Sequence, residues 1–308
     1  MNILKNTLKY FLICLIFYFL FKSLISNWGQ IDKLEIKLNY SYVIYSLIAV
    51  MAAWVVSAWS WGRVLSAFNY KIPYRDVFII YFKANLGKYL PGKVWQIIGS
   101  AYYAAGHGVP EGIAITTSLI GQAYSVLSGL SLFAMVGLLG RLGETNLFNT
   151  IFRWSLLPIL AILLAVALKP DLAQPLLNRI MRLFKRQEVK IHLPIIRTIE
   201  LFTIYLLCWL LFGLGLWLFA KALTNVGFAQ YINLTAVLAA AVAIGFLALF
   251  APGGLGVREG VIALFLATIP VFPPPLPSAV AIGYRIIMTI AEVVAFGMTW
   301  VLKWTQKK

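Results

Sequence analysis

The chain has 308 residues, 61% of them hydrophobic and only 12% charged, and its mean hydropathy is +0.87. Soluble globular proteins carry about 25% charged residues, so there is too little polar surface here to cover a body in water. A soluble enzyme, a disordered chain and a disulfide-stapled secreted domain are excluded, and an all-α polytopic membrane protein remains. The net charge of +16, from 26 Lys and Arg against 10 Asp and Glu, would suggest nucleic acid in a soluble protein. In a membrane protein it marks cytoplasmic loops and contacts with anionic headgroups. Cys14 and Cys208 sit in apolar runs and His107 and His192 are isolated. With no zinc spacing, phosphate loop or Ser/His/Asp pattern, no catalytic residue, metal or cofactor is expected.

The first apolar run, about Leu8 to Leu24, follows Lys5 and Lys9 as in a signal peptide, but no small-residue cleavage site comes after it. An uncleaved anchor is expected. A polar loop, Ser26 to Tyr40, leads to a second span, about Ser41 to Trp61, and Arg63, Lys71 and Arg75 follow. The next segment is broken: apolar arms Val77 to Leu90 and Val94 to Ala105 flank Pro91-Gly92. Neither arm exceeds about 14 residues, roughly 21 Å of helix against a hydrocarbon core of about 30 Å. That pattern predicts a re-entrant helical hairpin, whose irregular backbone is tolerated at depth only inside protein or beside a wet cavity.

Full spans follow at about Gly112 to Leu139 and Ile151 to Leu168. The basic stretch 169–197 has Leu172, Leu176, Leu177, Ile180, Met181 and Phe184 at helical spacing, with Arg179, Arg182, Lys185 and Arg186 among them. This is the pattern of an amphipathic helix, lying either on anionic lipid or in a solvated linker. A span at about Thr198 to Phe219 precedes a second broken segment. There Ile232 to Phe250 and Val257 to Thr268 flank Pro252-Gly253-Gly254-Leu255-Gly256. A proline-rich loop, Ile269 to Pro277, leads to the last span, about Ser278 to Leu302. The expectation is one membrane domain over 1–308, with about six full spans and two broken helical hairpins, the first re-entrant and the second either re-entrant or fully spanning, since its 19-residue first arm is long enough to cross.

With a cytoplasmic N-terminus and both hairpins returning to the side they entered, fifteen Lys and Arg fall on cytoplasmic flanks and six on external ones. This asymmetry predicts both termini inside. Lys83, Lys88, Lys93, Arg258 and Arg285 remain at membrane depth. The unit span, hairpin, span occurs at about 41–139 and again at about 198–302, in opposite orientation, with the basic linker 169–197 between. Pro91-Gly92 and Pro252-Gly253 are each followed by six residues and a glycine, Gly99 and Gly260. The reading is an inverted-topology repeat, an architecture of transporters whose discontinuous helices meet near the midplane.

A charge in hydrocarbon costs about 2.5–3.5 kcal/mol on insertion scales, so such residues face a cavity or a partner. Lys88 and Lys93 flank the first break; Arg258 and Glu259 follow the second. Free N–H groups at half-helix N-termini, with these cations, suit phosphate or another anion. Arg258 or Arg285 is expected to pair with Glu292 or Glu259. Tyr89, Trp95, Gln96 and Gln122 complete the candidate substrate-binding set, although packing alone would also account for the aromatic residues.

At the two breaks the sequence resembles a known family. Gly87-Lys88-Tyr89-Leu90-Pro91-Gly92-Lys93-Val94-Trp95 looks like the tyrosine-leucine-proline-glycine motif of the lysylphosphatidylglycerol synthase transmembrane, or flippase-like, family. Ala251-Pro252-Gly253-Gly254-Leu255-Gly256-Val257-Arg258-Glu259-Gly260 looks like its second hallmark. At Lys93-Val94-Trp95 many relatives carry a glycine-rich run instead. The resemblance implies translocation of a phospholipid or polyprenyl lipid in the bacterial inner membrane. The best-known members add a cytosolic aminoacyltransferase domain; only Trp304 to Lys308 follow the last span here, so a stand-alone member without synthase activity is expected.

The resulting expectation is a non-enzymatic translocase for an anionic phospholipid or polyprenyl-phosphate lipid, with membrane lipids as partners and no nucleic acid. Lys88, Lys93, Arg258 and Arg285 would attract the phosphate, and Glu259 and Glu292 are candidate proton or counter-ion sites. The alternatives are a scaffold for a lipid-linked glycosyltransferase or another lipid-biosynthesis partner, and a membrane enzyme acting on a lipid-linked substrate.

Overall fold

The computed structural model describes residues 38–89, 94–140, 150–183, 189–248 and 251–304. The expected first span, the break residues Pro91 and Gly92, and Lys93, Phe184, Lys185 and Arg186 lie outside them. Every regular element among the described residues is helical. In chain order they are α1 (Tyr40–Ala67), α2 (Tyr74–Asn85), α3 (Trp95–Ala105), α4 (Glu111–Leu138), α5 (Thr150–Leu168), α6 (Gln174–Leu183), α7 (Ile195–Leu223), α8 (Tyr231–Leu247), α9 (Val257–Leu266) and α10 (Leu276–Trp304). Short 3₁₀ turns occupy Leu86–Tyr89, Pro170–Ala173, Phe228–Gln230 and Pro252–Gly254.

Local chemistry sets the starts. Asn39 Oδ1 accepts the Ser41 N–H at 3.1 Å and caps α1. Pro73, Pro110 and Pro194 stand immediately before α2, α4 and α7, where a missing N–H costs no helical bond.

Among the described residues, five stretches are long and apolar enough to cross a membrane: α1, α4, α7, Phe228–Leu247 and Leu276–Leu302. A sixth candidate is a bent pair, in which Pro170–Leu183 turns by 97° from α5. The protein is a multi-pass α-helical membrane protein. The arms of the first broken segment are short, as expected: 12 residues in α2 and 11 in α3, about 18 and 16 Å. The second is asymmetric. Phe228–Leu247 has 20 residues, about 30 Å, whereas α9 has only 10, about 15 Å.

Helices α1 and α7 run antiparallel and give a ruler for depth. Ser46 Oγ donates to the Gly215 carbonyl at 2.7 Å, the Trp54 and Phe212 rings meet at 5.2 Å, and Arg63 pairs with Glu200 at 2.5 Å. Their seam is made by Val50, Ala53, Leu216 and Ala220, all fully buried. A Cβ on Gly215 would lie 2.6 Å from a methyl of Val50, the close approach by which small residues let membrane helices pack.

The first arm descends to the middle of this ruler. Lys88 Nζ lies 4.7 Å from the centroid of Trp54, midway along the 28 residues of α1. The turn Leu86–Tyr89 packs against Pro252–Gly254, and α2 against α10. The end of the first arm therefore meets the second break at Pro252–Gly254. Helix α6, expected to be amphipathic, docks Leu177 and the fully buried Met181 into the core around α4, and leaves Leu176 62% exposed.

Candidate functional site

Two arrangements fix the charges at depth. Glu292, 3% exposed on α10, accepts hydrogen bonds from the Asn85 amide and from Lys88 Nζ, the latter at 2.5 Å. Both donors belong to the first hairpin, so this cluster ties the two halves of the chain together. Glu259, 2% exposed near the start of α9, accepts the Gly256 N–H at 2.6 Å. The left-handed backbone of Gly256, φ 81°, lets the chain turn so that its own N–H meets the Glu259 carboxylate. Arg285 Nε lies 3.5 Å from Glu259 Oε1, an ion pair rather than a hydrogen bond, and Arg285 makes an equally long contact to the Gly253 carbonyl.

One of the expected pairings is present. Arg285 does partner Glu259. Glu292, however, is met by Lys88, a residue more than 200 positions away, because Lys88 ends the first arm level with Glu292. The seven-residue spacing of Arg285 and Glu292 brings them to one face of α10 but not into contact.

Between the two broken segments lies a cavity of about 170 Å³. Lys88 and Arg258 line it, and among the described lining residues there is no carboxylate. Arg258 reaches it through a slot made by two glycines. A Cβ on Gly245 would fall 2.6 Å from Arg258 Cγ, and one on Gly254, whose φ is 69°, 2.6 Å from Arg258 Nε. Opposite the cations, Ser118, Gln122 and Ser125 of α4 face the cavity with Ser57, Ser100 and Gln96. Trp54, Trp61 and Trp209 supply aromatic wall. The cluster of Lys88, Arg258, Arg285, Glu259 and Glu292 holds three cations and two carboxylates, a net charge of +1.

Of the predicted substrate-binding residues, Lys88, Gln96, Gln122 and Arg258 line the cavity together with Gly253 and Gly254. Glu259, Arg285 and Glu292 are not among the lining residues; Glu292 holds the lining Lys88, and Glu259 and Arg285 face each other. Trp95 is half-exposed and is not among the lining residues. Lys93 and the side chains of Tyr89 and Pro252 lie outside what is described. Asn85, Ser57, Tyr81, Ser100, Tyr205 and Cys208 also line the cavity and were missed. A signal existed for part of the wall: Ser118, Gln122 and Ser125 recur at i, i+4, i+7 within an apolar helix, a polar stripe on one face. Asn85 gave no such signal, because a lone amide in a short arm has no periodicity.

A family profile described as the lysylphosphatidylglycerol synthase TM region matches residues 6–295. The chain belongs to that family. Both motifs on which the resemblance rests, and the whole of the described cavity, fall within the matched region. Family membership places the chain among membrane proteins of lipid metabolism or transport. A search of curated proteins gave no match.

Proposed function

We propose that the protein is a lipid translocase for an anionic phospholipid or a polyprenyl-phosphate lipid. The observation that carries this reading is the cavity itself. Two cations from the two broken segments face one volume, hydroxyl and amide groups wall it, and the local charge is +1. A phosphate monoanion would neutralise that charge. Arg258 offers a planar fork matched to two phosphate oxygens, and Lys88 a compact point charge.

Size narrows what enters. Sites for drug-sized ligands span about 300–1,000 Å³, so a cavity of about 170 Å³ has room for a phosphate and its immediate substituent. The acyl or prenyl tails would stay in the bilayer beside the protein. The two halves would act as inverted repeats, with one half rocking against the other to alternate access. Both termini would face the cytoplasm of a bacterial inner membrane. No chemical change to the lipid is part of this reading.

The test is reconstitution of the purified full chain into liposomes carrying a fluorescent anionic lipid or its zwitterionic counterpart. Leaflet exchange is followed by dithionite quenching, and the lipid is then extracted and analysed. Faster exchange of the anionic lipid, recovered chemically unchanged, is the expected result. A modified lipid would favour an enzyme. Exchange no faster than in empty liposomes would overturn the translocase reading.

A further inference from the structure

We propose that the cavity selects lipids whose phosphate carries an uncharged polyol, and that Ser57, Ser100 and Ser118 accept the hydroxyl protons of that polyol. This rests on the reading of the cavity as a phosphate site and narrows its substrate.

A serine hydroxyl has one proton to donate and two lone pairs with which to accept. In this cavity the protons are already committed. Ser57 Oγ donates to the Ala53 carbonyl at 2.8 Å, and Ser100 Oγ to the Ile97 carbonyl at 2.7 Å. Ser100 and Ser118 meet Oγ to Oγ at 2.6 Å. Because the Ser100 proton is held by Ile97, Ser118 is the donor in that pair. All three side chains line the cavity, so what they offer an occupant is lone pairs. This part of the wall is a set of uncharged acceptors, and it calls for a ligand with several O–H or N–H groups.

The acceptors lie one helical turn from the cations. Lys88 Nζ is 4.7 Å from the centre of the Trp54 ring, and Ser57 is three residues further along α1, about 4.5 Å of rise. A Cβ on Gly87, the neighbour of Lys88, would fall 2.6 Å from the backbone nitrogen of Gln96. Ser100 is four residues further along α3, about 6 Å of rise. Helix α3 runs back along α2, since a Cβ on Gly99 would lie 3.2 Å from Ala84. Gly62 of α1 meets Val77 near the start of α2. Both steps therefore lead toward the Arg63 end of α1, and the three hydroxyls form one region. A substituent joined directly to the phosphate spans that interval.

Uncharged acceptors also suit an ammonium, but the local charge decides against one. A phosphate monoanion already brings the cluster from +1 to zero. An ammonium would add a charge beside Lys88 and Arg258, with no carboxylate among the described lining residues to meet it. A buried charge without a counter-charge is far costlier than a hydroxyl. A polyol brings donors and no charge. A simple alkyl ester of phosphate brings neither, and leaves the acceptors unmatched.

The experiment reconstitutes the full chain into liposomes with a trace of one of three tail-labelled lipids: phosphatidylglycerol, phosphatidylethanol or phosphatidylethanolamine. The first two share a single negative charge and differ in the hydroxyls of the headgroup. Phosphatidylglycerol is expected to exchange about tenfold faster than phosphatidylethanol, the effect of one or two neutral hydrogen bonds, and faster than phosphatidylethanolamine. In the double variant Ser57→Ala, Ser118→Ala the ratio of the two anionic lipids should fall toward one. Equal wild-type rates for phosphatidylglycerol and phosphatidylethanol would overturn the polyol assignment, and so would phosphatidylethanolamine moving as fast as phosphatidylglycerol. These wild-type comparisons decide the matter even if the double variant fails to fold. A tenfold ratio that persists in a folded double variant would overturn the role of the hydroxyls. Wild-type protein that moves none of the three lipids would instead overturn the translocase reading beneath it.

Discussion

Replacing Lys88 by Met keeps most of the side-chain length and removes the charge. Glu292 is then left at the middle of the protein, its side chain 4% exposed, with Asn85 among its donors but without the ammonium at 2.5 Å. Breaking one side of a buried ion pair costs about 3–5 kcal/mol, most of it for the carboxylate left behind, whereas replacing both partners by neutral groups is often close to neutral. Lys88→Met is therefore expected to lose about 3–5 kcal/mol of stability, and Lys88→Met combined with Glu292→Gln to lie within about 1 kcal/mol of wild type. The measurement is unfolding free energy by dodecyl sulfate titration in a fixed detergent micelle for wild type, both single variants and the double variant. A double variant as unstable as the sum of the singles would mean that Lys88 and Glu292 do not interact in the folded protein. The assignment of the inter-half clasp would then be wrong.

The other predictions concern the slot, the cation within it, the polar wall and α6. Gly254→Ala puts a Cβ 2.6 Å from Arg258 Nε at a backbone φ of 69°, and the left-handed conformation alone costs about 1–2 kcal/mol for a residue with a Cβ; its melting temperature should fall, and its exchange rate with it. Arg258→Lys keeps the charge but loses the planar fork, so it should slow anionic lipid exchange; normal exchange by a folded Arg258→Ala protein would rule out phosphate binding there. Gln122→Leu should fold, since it removes an amide from a cavity wall, and should slow exchange in the same liposome assay. A fluorophore placed at Leu176, which is 62% exposed beside the buried Leu177, should be quenched by lipid-borne quenchers, and more strongly with anionic lipid; quenching only by aqueous iodide would make α6 a solvated linker.

The membrane class was written in composition, because a chain with 12% charged residues cannot cover itself in water. Helix limits were legible where an apolar run meets proline, as at Pro110 before α4 and Pro194 before α7. The first broken segment was legible because Pro91-Gly92 separates arms too short to span, whereas in the second Phe228–Leu247 is long enough to cross and only the Pro-Gly run marked it. Lys88 and Arg258 could be named because charge within an apolar run is costly. The partners of those charges could not. Periodicity tells which residues share a face of one helix, and Glu292 meets Asn85 and Lys88 only because the folded first hairpin stops beside α10. Gly245 reads in sequence as an ordinary membrane-helix glycine; its purpose appears when Arg258, thirteen residues later, returns through the space that its missing Cβ leaves. Local sequence sets where helices start and stop, while the identity of each buried charge's partner depends on distances between segments far apart in the chain, and packing alone fixes those.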